Sequence, residues 1–428
     1  MKNFKSVSVQ VIDSDIALLL PNGVYEIKQM ESRSRLKSVL FICGVMALFG
    51  IVGFGYFCPD KVCALSSRET VQVTIINDGM GKPLASTDNK AGLSYDEMLN
   101  DEFAFDMNSP DVMVFLHMQK TGGTSFGKHL VHDLDLQRPC SCPISRKRCH
   151  CFRPKSNQSW LFSRYTTGWK CGLHADWTEL TNCVDDKLDE MEGHLAKRRY
   201  FYVTLLREPV ARYLSEFRHV QRGATWKGSR HFCNNRPATD AELPACYTTE
   251  TWENVQLDEF MSCESNLAVN RQTRMLADLE LIGCYDSSYM PAAERSRVML
   301  ASAKKNLQSM AFFGLTEYQR ISQYIFEQTF NLRFAVPFEQ NNATVSSHTM
   351  PTLTPEQAAK VAHLNDLDIE LYNFAKKVLF DRFKKLKAQD PNFEETFKHL
   401  GEVPNRTGVT GFNWDNLEGS DDYTTNPV

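Results

Sequence analysis

Two short apolar runs, each followed at once by a helical pattern, constrain the fold of this chain more than any other feature. Residues 112–117 read VMVFLH and lead through the turn QKTGGTS into FGKHLVHDL. Residues 200–206 read YFYVTLL and lead directly into a helical pattern over residues 209–220. A third run, AFFGL at residues 311–315, precedes another helical pattern. Strands that alternate with helices predict an α/β fold with a mainly parallel sheet and helices on its faces.

The C-terminal part of the chain predicts a long amphipathic helix and then a tail. Thr354 is the expected N-cap, with Pro355 at the first helical position and Gln357 at the third, a pattern typical of a helix start. Apolar side chains recur behind this start at spacings of three and four, at Val361, Leu364, Leu367, Leu371, Phe374 and Val378. Residues 387–428 are polar and aperiodic, so they are expected to form a disordered tail.

An apolar segment near the N-terminus predicts a membrane anchor. Residues 39–57 contain no charged side chain, and a helix of that length would be roughly 28 Å long. The basic side chains that precede it are Arg33, Arg35 and Lys37, whereas the first charges beyond it balance, so its N-terminal side is expected to be cytosolic. A cleaved signal peptide is the alternative. The predicted regions are a cytoplasmic stub over 1–37, a signal-anchor helix over 38–57, a luminal stem over 58–108 and a folded domain over 109–386.

Ten of the thirteen cysteines fall between residues 140 and 284. An oxidising lumen favours disulfides, so this part of the chain is expected to contain disulfide-rich loops, whose pairing the sequence leaves open. The CSC and CHC triplets around Cys140 and Cys151 could also bind zinc, but disulfides fit the predicted topology better. N-glycosylation sequons lie on the same side of the predicted anchor, at Asn157, Asn342 and Asn405.

The turn between the first strand and its helix has the composition of an anion site. Gly122 and Gly123 allow the backbone to approach a ligand closely. The helix N-terminus directs backbone N–H groups at one point, and Lys120 adds a positive charge. Since the lysine precedes the glycines, unlike in GxxxxGK[ST], an ordinary ATP or GTP loop and a kinase are disfavoured. A tight turn without a ligand is the alternative. Hydroxyl donors are available at Thr121, Thr124 and Ser125.

A second candidate anion site follows the second strand. Arg207 stands at the end of that strand, where open α/β sheets bind ligands. Polar side chains then recur along one face of the helix, at Arg212, Ser215, His219 and Arg222. An arginine-rich helix face is usually only solvated. Two anion sites, each directly after a strand, nevertheless suit a nucleotide with phosphates at both ends.

The residues around both sites resemble heparan sulfate 6-O-sulfotransferases, which use 3′-phosphoadenosine 5′-phosphosulfate (PAPS). The resemblance extends in order over most of residues 112–385, through FLHMQKTGGTSFGKHL, WLFSRYTTGWKCGLHADWTELTNC, TLLREPVARYLSEFRHVQRGATWKGS, NRQTRMLADL, AKKNLQSMAFFGLTEYQR and LNDLDIELYNFAK. It implies a P-loop-like sulfotransferase fold that needs no metal. It also suits a single-pass type II protein of the Golgi membrane with a luminal catalytic domain.

By position, the resemblance implies how PAPS would be held. The donor would be bound by His117, Met118, Gln119, Lys120, Thr121, Gly122, Gly123, Thr124 and Ser125, with Lys120 contacting the 5′-phosphosulfate and Thr121–Ser125 cradling it. Lys120 would also stabilise charge on the bridging oxygen, and Arg207 with Ser215 would hold the 3′-phosphate. A late loop is expected to close over the donor with Glu339, Gln340, Asn341, Thr344 and Val345.

His174, within CGLHADW, is the candidate general base, because an imidazole suits removal of a proton from a sugar hydroxyl. The competing histidines are His117, His129, His132 and His219. Heparan sulfate is a polyanion, so its binding needs local positive charge, and Trp169 and Trp226 could stack on sugar rings. The acceptor contacts that the resemblance implies are Lys147, Arg148, Arg164, Trp169, His174, His219 and Trp226.

The sequence therefore predicts a PAPS-dependent enzyme that sulfates the 6-hydroxyl of glucosamine residues in heparan sulfate. The net charge of −4 excludes a uniformly basic chain that coats nucleic acid, and no nucleic-acid partner is expected. Two alternatives stay open. One is transfer to another glycan position, such as the 2-O position of uronic acid, and the other is a luminal domain that binds glycans without catalysis.

Overall fold

Strands and helices alternate along the chain, in a computed structural model that describes residues 76–77, 83–84, 95, 104–143, 146, 148–338 and 353–402. The strands are β1 (Ile76–Asn77), β2 (Pro83–Leu84), β3 (Asp111–Leu116), β4 (Leu161–Phe162), β5 (Arg199–Leu206), β6 (Phe232–Cys233), β7 (Arg236–Pro237) and β8 (Phe312–Leu315). The helices are α1 (Gly123–His132), α2 (Trp177–Glu192), α3 (Pro209–Gln221), α4 (Leu257–Ser262), α5 (Arg271–Leu276), α6 (Ala292–Ser309), α7 (Gln319–Phe330), α8 (Pro355–Leu364), α9 (Asp366–Gln389) and α10 (Phe393–Lys398). Short 3-10 turns cover Leu279–Ile282 and Thr316–Tyr318.

Four parallel strands form the main sheet, in the order β4-β3-β5-β8. β3 pairs with β5 from Asp111 opposite Arg199 to Leu116 opposite Thr204. β4 pairs with β3, and β8 pairs with the second half of β5, also in parallel. Every residue of β3 and β5 is buried, as expected of a parallel sheet that is covered on both faces. The predicted α/β fold with a mainly parallel sheet is confirmed, and the carboxyl ends of β3, β5 and β8 meet at one edge.

The predicted start of the late helix is confirmed, but the helix is interrupted. The Thr354 hydroxyl caps α8 by accepting a hydrogen bond from the N–H of Gln357, and the side-chain oxygen of Gln357 accepts one from the N–H of Thr354. Asn365 then separates α8 from α9, and its side-chain amide donates to the carbonyl of Val361 at 2.8 Å. An asparagine that binds the preceding turn competes with helix continuation, which periodicity alone does not reveal.

The expected disordered tail is wrong for residues 387–402. Helix α9 continues to Gln389, and α10 follows after a short turn. Phe393 and Leu400 are buried, and the Phe393 ring packs edge-on against Tyr324 with centroids 5.2 Å apart. A few aromatic and aliphatic side chains therefore hold a segment whose average composition is polar. Residues 403–428 lie outside the described part of the chain.

Five disulfides link the ten cysteines between residues 140 and 284, which confirms the predicted disulfide-rich loops. The pairs are Cys140–Cys151, Cys142–Cys149, Cys171–Cys183, Cys233–Cys284 and Cys246–Cys263. The first two pairs fasten a narrow loop in which Ser141 and His150 bridge in antiparallel fashion. Since all four cysteines of the CSC and CHC triplets are in disulfides, they are not zinc ligands.

The described ranges contain no helix that is both long and apolar enough to cross a bilayer. The predicted anchor over residues 38–57 lies outside those ranges, as does most of the predicted stem.

Candidate active site

The glycine turn connects the carboxyl end of β3 to α1 through backbone conformations that few side chains adopt. Lys120 has a φ of 66° and Gly122 a φ of 82°. A Cβ atom on Gly123 would lie 2.3 Å from Cδ2 of His117, so that position requires glycine. Helix α1 begins at Gly123 with no side chain capping its first N–H groups. These unsatisfied donors, next to Lys120, form a concentrated positive end that suits an anion.

Two long-range contacts hold this turn at the edge of the sheet. The hydroxyl of Thr316, directly after β8, lies 2.7 Å from the carbonyl oxygen of Thr121 and 2.9 Å from that of Leu206. Nη1 of Arg207 donates to the carbonyl of Lys120 at 3.3 Å. The ends of β3, β5 and β8 are thereby joined around the turn. Thr316 was not among the predicted site residues, because only the assembled sheet brings it to this edge.

Arg207 is oriented by a partner that sequence reasoning also missed. Gln272 accepts a hydrogen bond from the backbone N–H of Arg207 at 2.9 Å and donates one to its carbonyl at 3.0 Å. Burial lowers the pKa of the Arg207 guanidinium because it destabilises the charged form. An anionic ligand beside the guanidinium would stabilise that charged form. Ser215 is buried on α3, which begins at Pro209 and is capped by the Glu208 carboxylate. The structure therefore places the Arg207 side chain beside the glycine turn.

A buried ion network fixes helix α3. The carboxylate of Glu216 pairs with the guanidinium groups of Arg212 and Arg271, and all three side chains are almost completely inaccessible. Asp368 of α9 lies 4.0 Å from Arg212 and accepts hydrogen bonds from the N–H groups of Gln272 and Thr273. Arg212 is therefore a structural cation, although the sequence placed it on the same helix face as Ser215.

His174 is held in a defined orientation by the backbone of the glycine turn. It has a φ of 52°, and its Nδ1 lies 3.0 Å from the carbonyl oxygen of His117. Because a carbonyl only accepts, Nδ1 carries the proton and Nε2 has the free lone pair. The ring packs against Trp169, Trp226 and His117, with centroid distances of 4.6, 5.2 and 4.9 Å. The local geometry thus presents an imidazole whose Nε2 can accept a proton.

Burial keeps this imidazole neutral. It lowers the pKa of His174 to about 3, and the positive charges of Arg164 and Arg271 act in the same direction. The pKa of His117 is also lowered, first by burial and then by the neighbouring His174. Two adjacent neutral imidazoles therefore lie between the glycine turn and Trp169.

Five of the other residues predicted to contact the acceptor lie around His174. The guanidinium of Arg164 lies over the Trp169 ring at 5.1 Å, and the rings of His219 and Trp226 are 5.7 Å apart. Arg148 is exposed and lies 3.4 Å from the carbonyl of Thr167, two residues before Trp169. Trp169 and Trp226 thus contact the imidazole directly, and Arg164, His219 and Arg148 lie next to these tryptophans or to the segment that carries them. Lys147 lies outside the described residues.

The remaining predicted residues lie partly inside and partly outside the described ranges. His129 and His132 both pair with Asp133 near the C-terminal end of α1, away from the turn, which disfavours them as the base. Asn157 is exposed, as a glycosylated asparagine must be, and its occupancy stays a prediction. The residues predicted for the late loop, and two sequons, lie outside the described ranges: Glu339, Gln340, Asn341, Thr344, Val345, Asn342 and Asn405.

Known proteins with similar sequences point to one family. A model of the sulfotransferase family matches residues 103–375. The chain is 45% identical over 370 residues to heparan-sulfate 6-O-sulfotransferase 2 of Gallus gallus, which covers 84% of this chain and 90% of that protein. It is 45% identical over 371 residues to heparan-sulfate 6-O-sulfotransferase 3-B of Danio rerio, with coverages of 82% and 87%. It is 55% identical over 280 residues to heparan-sulfate 6-O-sulfotransferase 1 of Gallus gallus, with coverages of 65% and 68%.

Proposed function

Because the chain belongs to the sulfotransferase family, among its heparan-sulfate 6-O-sulfotransferases, we propose that it transfers a sulfuryl group from PAPS to heparan sulfate. The position that receives the group is the 6-hydroxyl of a glucosamine residue. The observation that carries this proposal is the hydrogen bond between Nδ1 of His174 and the carbonyl of His117. That bond fixes a proton acceptor directly beside an anion-binding turn.

The glycine turn fits the phosphosulfate end of the donor. Helix α1 offers N–H groups without a side-chain cap, and a Cβ on Gly123 would fill the space against His117. Nδ1 of His117 is buried and has no hydrogen-bond partner among the described residues, and as an N–H it could donate to a phosphosulfate oxygen. An unpaired buried polar atom is costly, so its presence here favours a ligand that satisfies it.

The chain's own residues then have separate tasks. When bound, PAPS supplies an activated sulfuryl group and a phosphate leaving group. Lys120 and the first N–H groups of α1 stabilise the negative charge on that phosphate, while Arg207 and Ser215 hold the 3′-phosphate. Nε2 of His174 would accept the proton of the sugar 6-hydroxyl, while the sulfuryl group would pass from the donor's phosphate to the oxygen of that hydroxyl. Arg148, Arg164 and the tryptophans hold the anionic sugar chain, and Lys147 is assigned to the same task by position.

The direct test is an assay with radiolabelled PAPS and desulfated heparan sulfate, followed by disaccharide mapping. We expect the label at the 6-O position of glucosamine. Label on uronic acid would instead indicate a 2-O-sulfotransferase. Heparin binding without any transfer would indicate a domain that only binds glycans.

We also propose that the chain is a single-pass type II protein of the Golgi membrane, with its catalytic domain in the lumen. Five disulfides support an oxidising compartment. The apolar run at residues 39–57 and the basic residues before it support the anchor. Microscopy of the full chain, with protease protection of its two ends, tests both statements.

Replacing Arg207 by alanine is expected to weaken binding of 3′-phosphoadenosine 5′-phosphate by about 10- to 100-fold. A charge-assisted hydrogen bond to a phosphate contributes about 1.5–3 kcal/mol, and Arg207 lies beside the turn that holds the other end of the nucleotide. Calorimetric titration measures the affinity. Arg222→Ala, an exposed arginine at the end of the same helix, is the control and should bind as wild type does. Equal affinity in the two variants would contradict the assignment.

The titration of His174 should depend on the nucleotide. In the free protein, burial holds its pKa at about 3, so the ring is neutral at every pH well above that value. Phosphate groups near the ring favour the imidazolium, so 3′-phosphoadenosine 5′-phosphate should raise the pKa. NMR of protein labelled at histidine, with His174→Ala for assignment, measures both states. A midpoint near 6.5 in the free protein, unchanged by nucleotide, would contradict the prediction.

A further inference from the structure

Glu179 is a buried carboxylate that connects two segments of the candidate active site. It is the third residue of α2, and its side chain points back to the start of that helix. Oε2 accepts a hydrogen bond from the backbone N–H of Asp176 at 2.9 Å. Oε1 accepts one from the backbone N–H of Phe232 at 2.8 Å. One carboxylate thus joins the segment 171–176, called here the base loop, to the segment 226–232, called here the acceptor strap.

Each of the two segments contributes one aromatic ring to the candidate active site. The base loop contains His174, two residues before Asp176. The acceptor strap contains Trp226, whose ring centroid lies 5.2 Å from that of His174. A second, weaker contact runs parallel to the first, since the hydroxyl of Ser229 donates to the carbonyl of Leu173 at 3.3 Å. The relative placement of imidazole and indole therefore depends on contacts between these two segments.

The arrangement exceeds what a helix cap requires. A capping box needs only the reciprocal bonds between Asp176 and Glu179, which use Oε2 of Glu179. Oε1 is used for the acceptor strap instead. Gly172, with a φ of 123°, lies beside this oxygen, since an added Cβ would be in ordinary van der Waals contact with Oε1 at 3.4 Å. Burial and the adjacent Asp176 raise the pKa of Glu179 to about 8, whereas the two N–H donors act in the opposite direction. Because both oxygens accept from backbone N–H groups, the side chain makes these two bonds best in its ionised form.

We infer that Glu179 is a positioning residue for sulfuryl transfer, whose carboxylate holds the base loop and the acceptor strap in register so that the acceptor sugar lies against Trp226 with its hydroxyl at Nε2 of His174. This inference rests on the proposed function. It assigns Glu179 no contact with donor, acceptor or the transferred group. Displacement of a reacting hydroxyl by about 1 Å can cost about 100-fold in rate, so loss of the link should appear in the transfer reaction.

The test is Glu179→Gln, because glutamine keeps the shape but can accept from only one of the two N–H groups with its single oxygen. We expect kcat/KM for desulfated heparan sulfate to fall about 10- to 100-fold, with affinity for 3′-phosphoadenosine 5′-phosphate within twofold of wild type. Glu192→Gln is the matched control. Glu192 ends the same helix with a side chain that is 8% exposed, pairs with Arg198 at 3.0 Å and accepts from the N–H of Ser159 at 3.0 Å, away from the base loop. It should lower the melting temperature but leave kcat/KM within threefold.

The outcomes separate the possible failures. Transfer by Glu179→Gln within threefold of wild type, or an equal loss in Glu192→Gln, would overturn the inference. A parallel loss of nucleotide affinity would overturn it too, since it would indicate a general disturbance. If Glu179→Gln does not fold, Ser229→Ala decides: a three- to tenfold loss with intact nucleotide binding supports the link, and unchanged transfer overturns it. Absence of transfer in the wild-type chain would overturn the proposed function itself.

Discussion

Replacement of His174 by alanine is expected to lower the rate of sulfuryl transfer by about 100- to 10,000-fold, the usual contribution of a positioned general base. Among the described residues, Nε2 of His174 is an acceptor that a backbone hydrogen bond at Nδ1 holds in place beside the glycine turn. The neighbouring imidazole of His117 is buried as well, but its Nδ1 has no hydrogen-bond partner among the described residues to fix the ring. Affinity for 3′-phosphoadenosine 5′-phosphate should stay within about threefold of wild type, because His174 is not needed to hold the phosphates. Turnover with radiolabelled PAPS and calorimetry measure the two quantities.

His129→Ala provides the control for this experiment. His129 belongs to helix α1, which starts at the glycine turn, but it lies near the opposite end and pairs with Asp133 at 2.7 Å. That variant should retain transfer. If His174→Ala kept normal turnover, the base would have to be another group, and the hydrogen bond from Nδ1 to the carbonyl of His117 would have only a structural role.

The parts of this site that the sequence could predict are those encoded locally. A strand, a glycine turn and a helix follow each other within about twenty residues, so the pattern around Lys120, Gly122 and Gly123 determines its own geometry. The same holds for Arg207, which needs only the end of a strand and the start of a helix to reach the ligand edge. The family resemblance then supplied His174, which has no distinctive local pattern of its own.

The parts that the sequence could not predict depend on contacts between distant residues. Thr316 reaches Thr121 across 195 positions, and Gln272 reaches Arg207 across 65. Both residues stand in segments that carry the family resemblance, but neither has a local pattern that assigns it a role in the site. Disulfide pairing could not be predicted either, because ten cysteines permit many connectivities and the pairs form only in the folded chain. The packed segment after residue 386 was missed for a related reason: Phe393 and Leu400 are too sparse to form a visible period.

The face of helix α3 shows how periodicity can mislead about function. Arg212 and Ser215 are three residues apart and share a face, so the sequence grouped both with the anion site. In the structure Arg212 is fully buried against Glu216, with Arg271 on the other side of the same carboxylate. The arginine that the ligand edge needs is Arg207, at the end of the strand. The buried pair instead determines where Ser215 stands.

Glu216→Gln is therefore expected to be the most destabilising of the substitutions discussed, at about 3–5 kcal/mol in the free energy of unfolding. Burial alone would raise the pKa of Glu216, but Arg271 and Arg212 lower it to about 2. The carboxylate is thus ionised in the folded protein. The stability that this ionised carboxylate contributes to the folded protein is fully present above the unfolded pKa of about 4.5. That stability is lost as the pH falls toward 2. Glutamine would remove the carboxylate that pairs with the buried Arg271 guanidinium and would leave Arg212 with the more distant Asp368, at 4.0 Å. Urea unfolding at neutral pH, with disulfides intact, measures the loss.

An ion pair on the protein surface is the control for the loss of stability expected in Glu216→Gln. Lys304 and Glu370 approach to 2.6 Å, but the Glu370 side chain is 61% exposed. Water and salt screen such a pair, so Glu370→Gln should cost less than about 1 kcal/mol. Ser215 directly precedes Glu216, so the buried substitution should also weaken nucleotide binding, whereas the surface substitution should not. Similar losses of stability in both variants, or full nucleotide affinity in Glu216→Gln, would mean that the Arg212–Glu216–Arg271 network does not hold α3 in place for the donor.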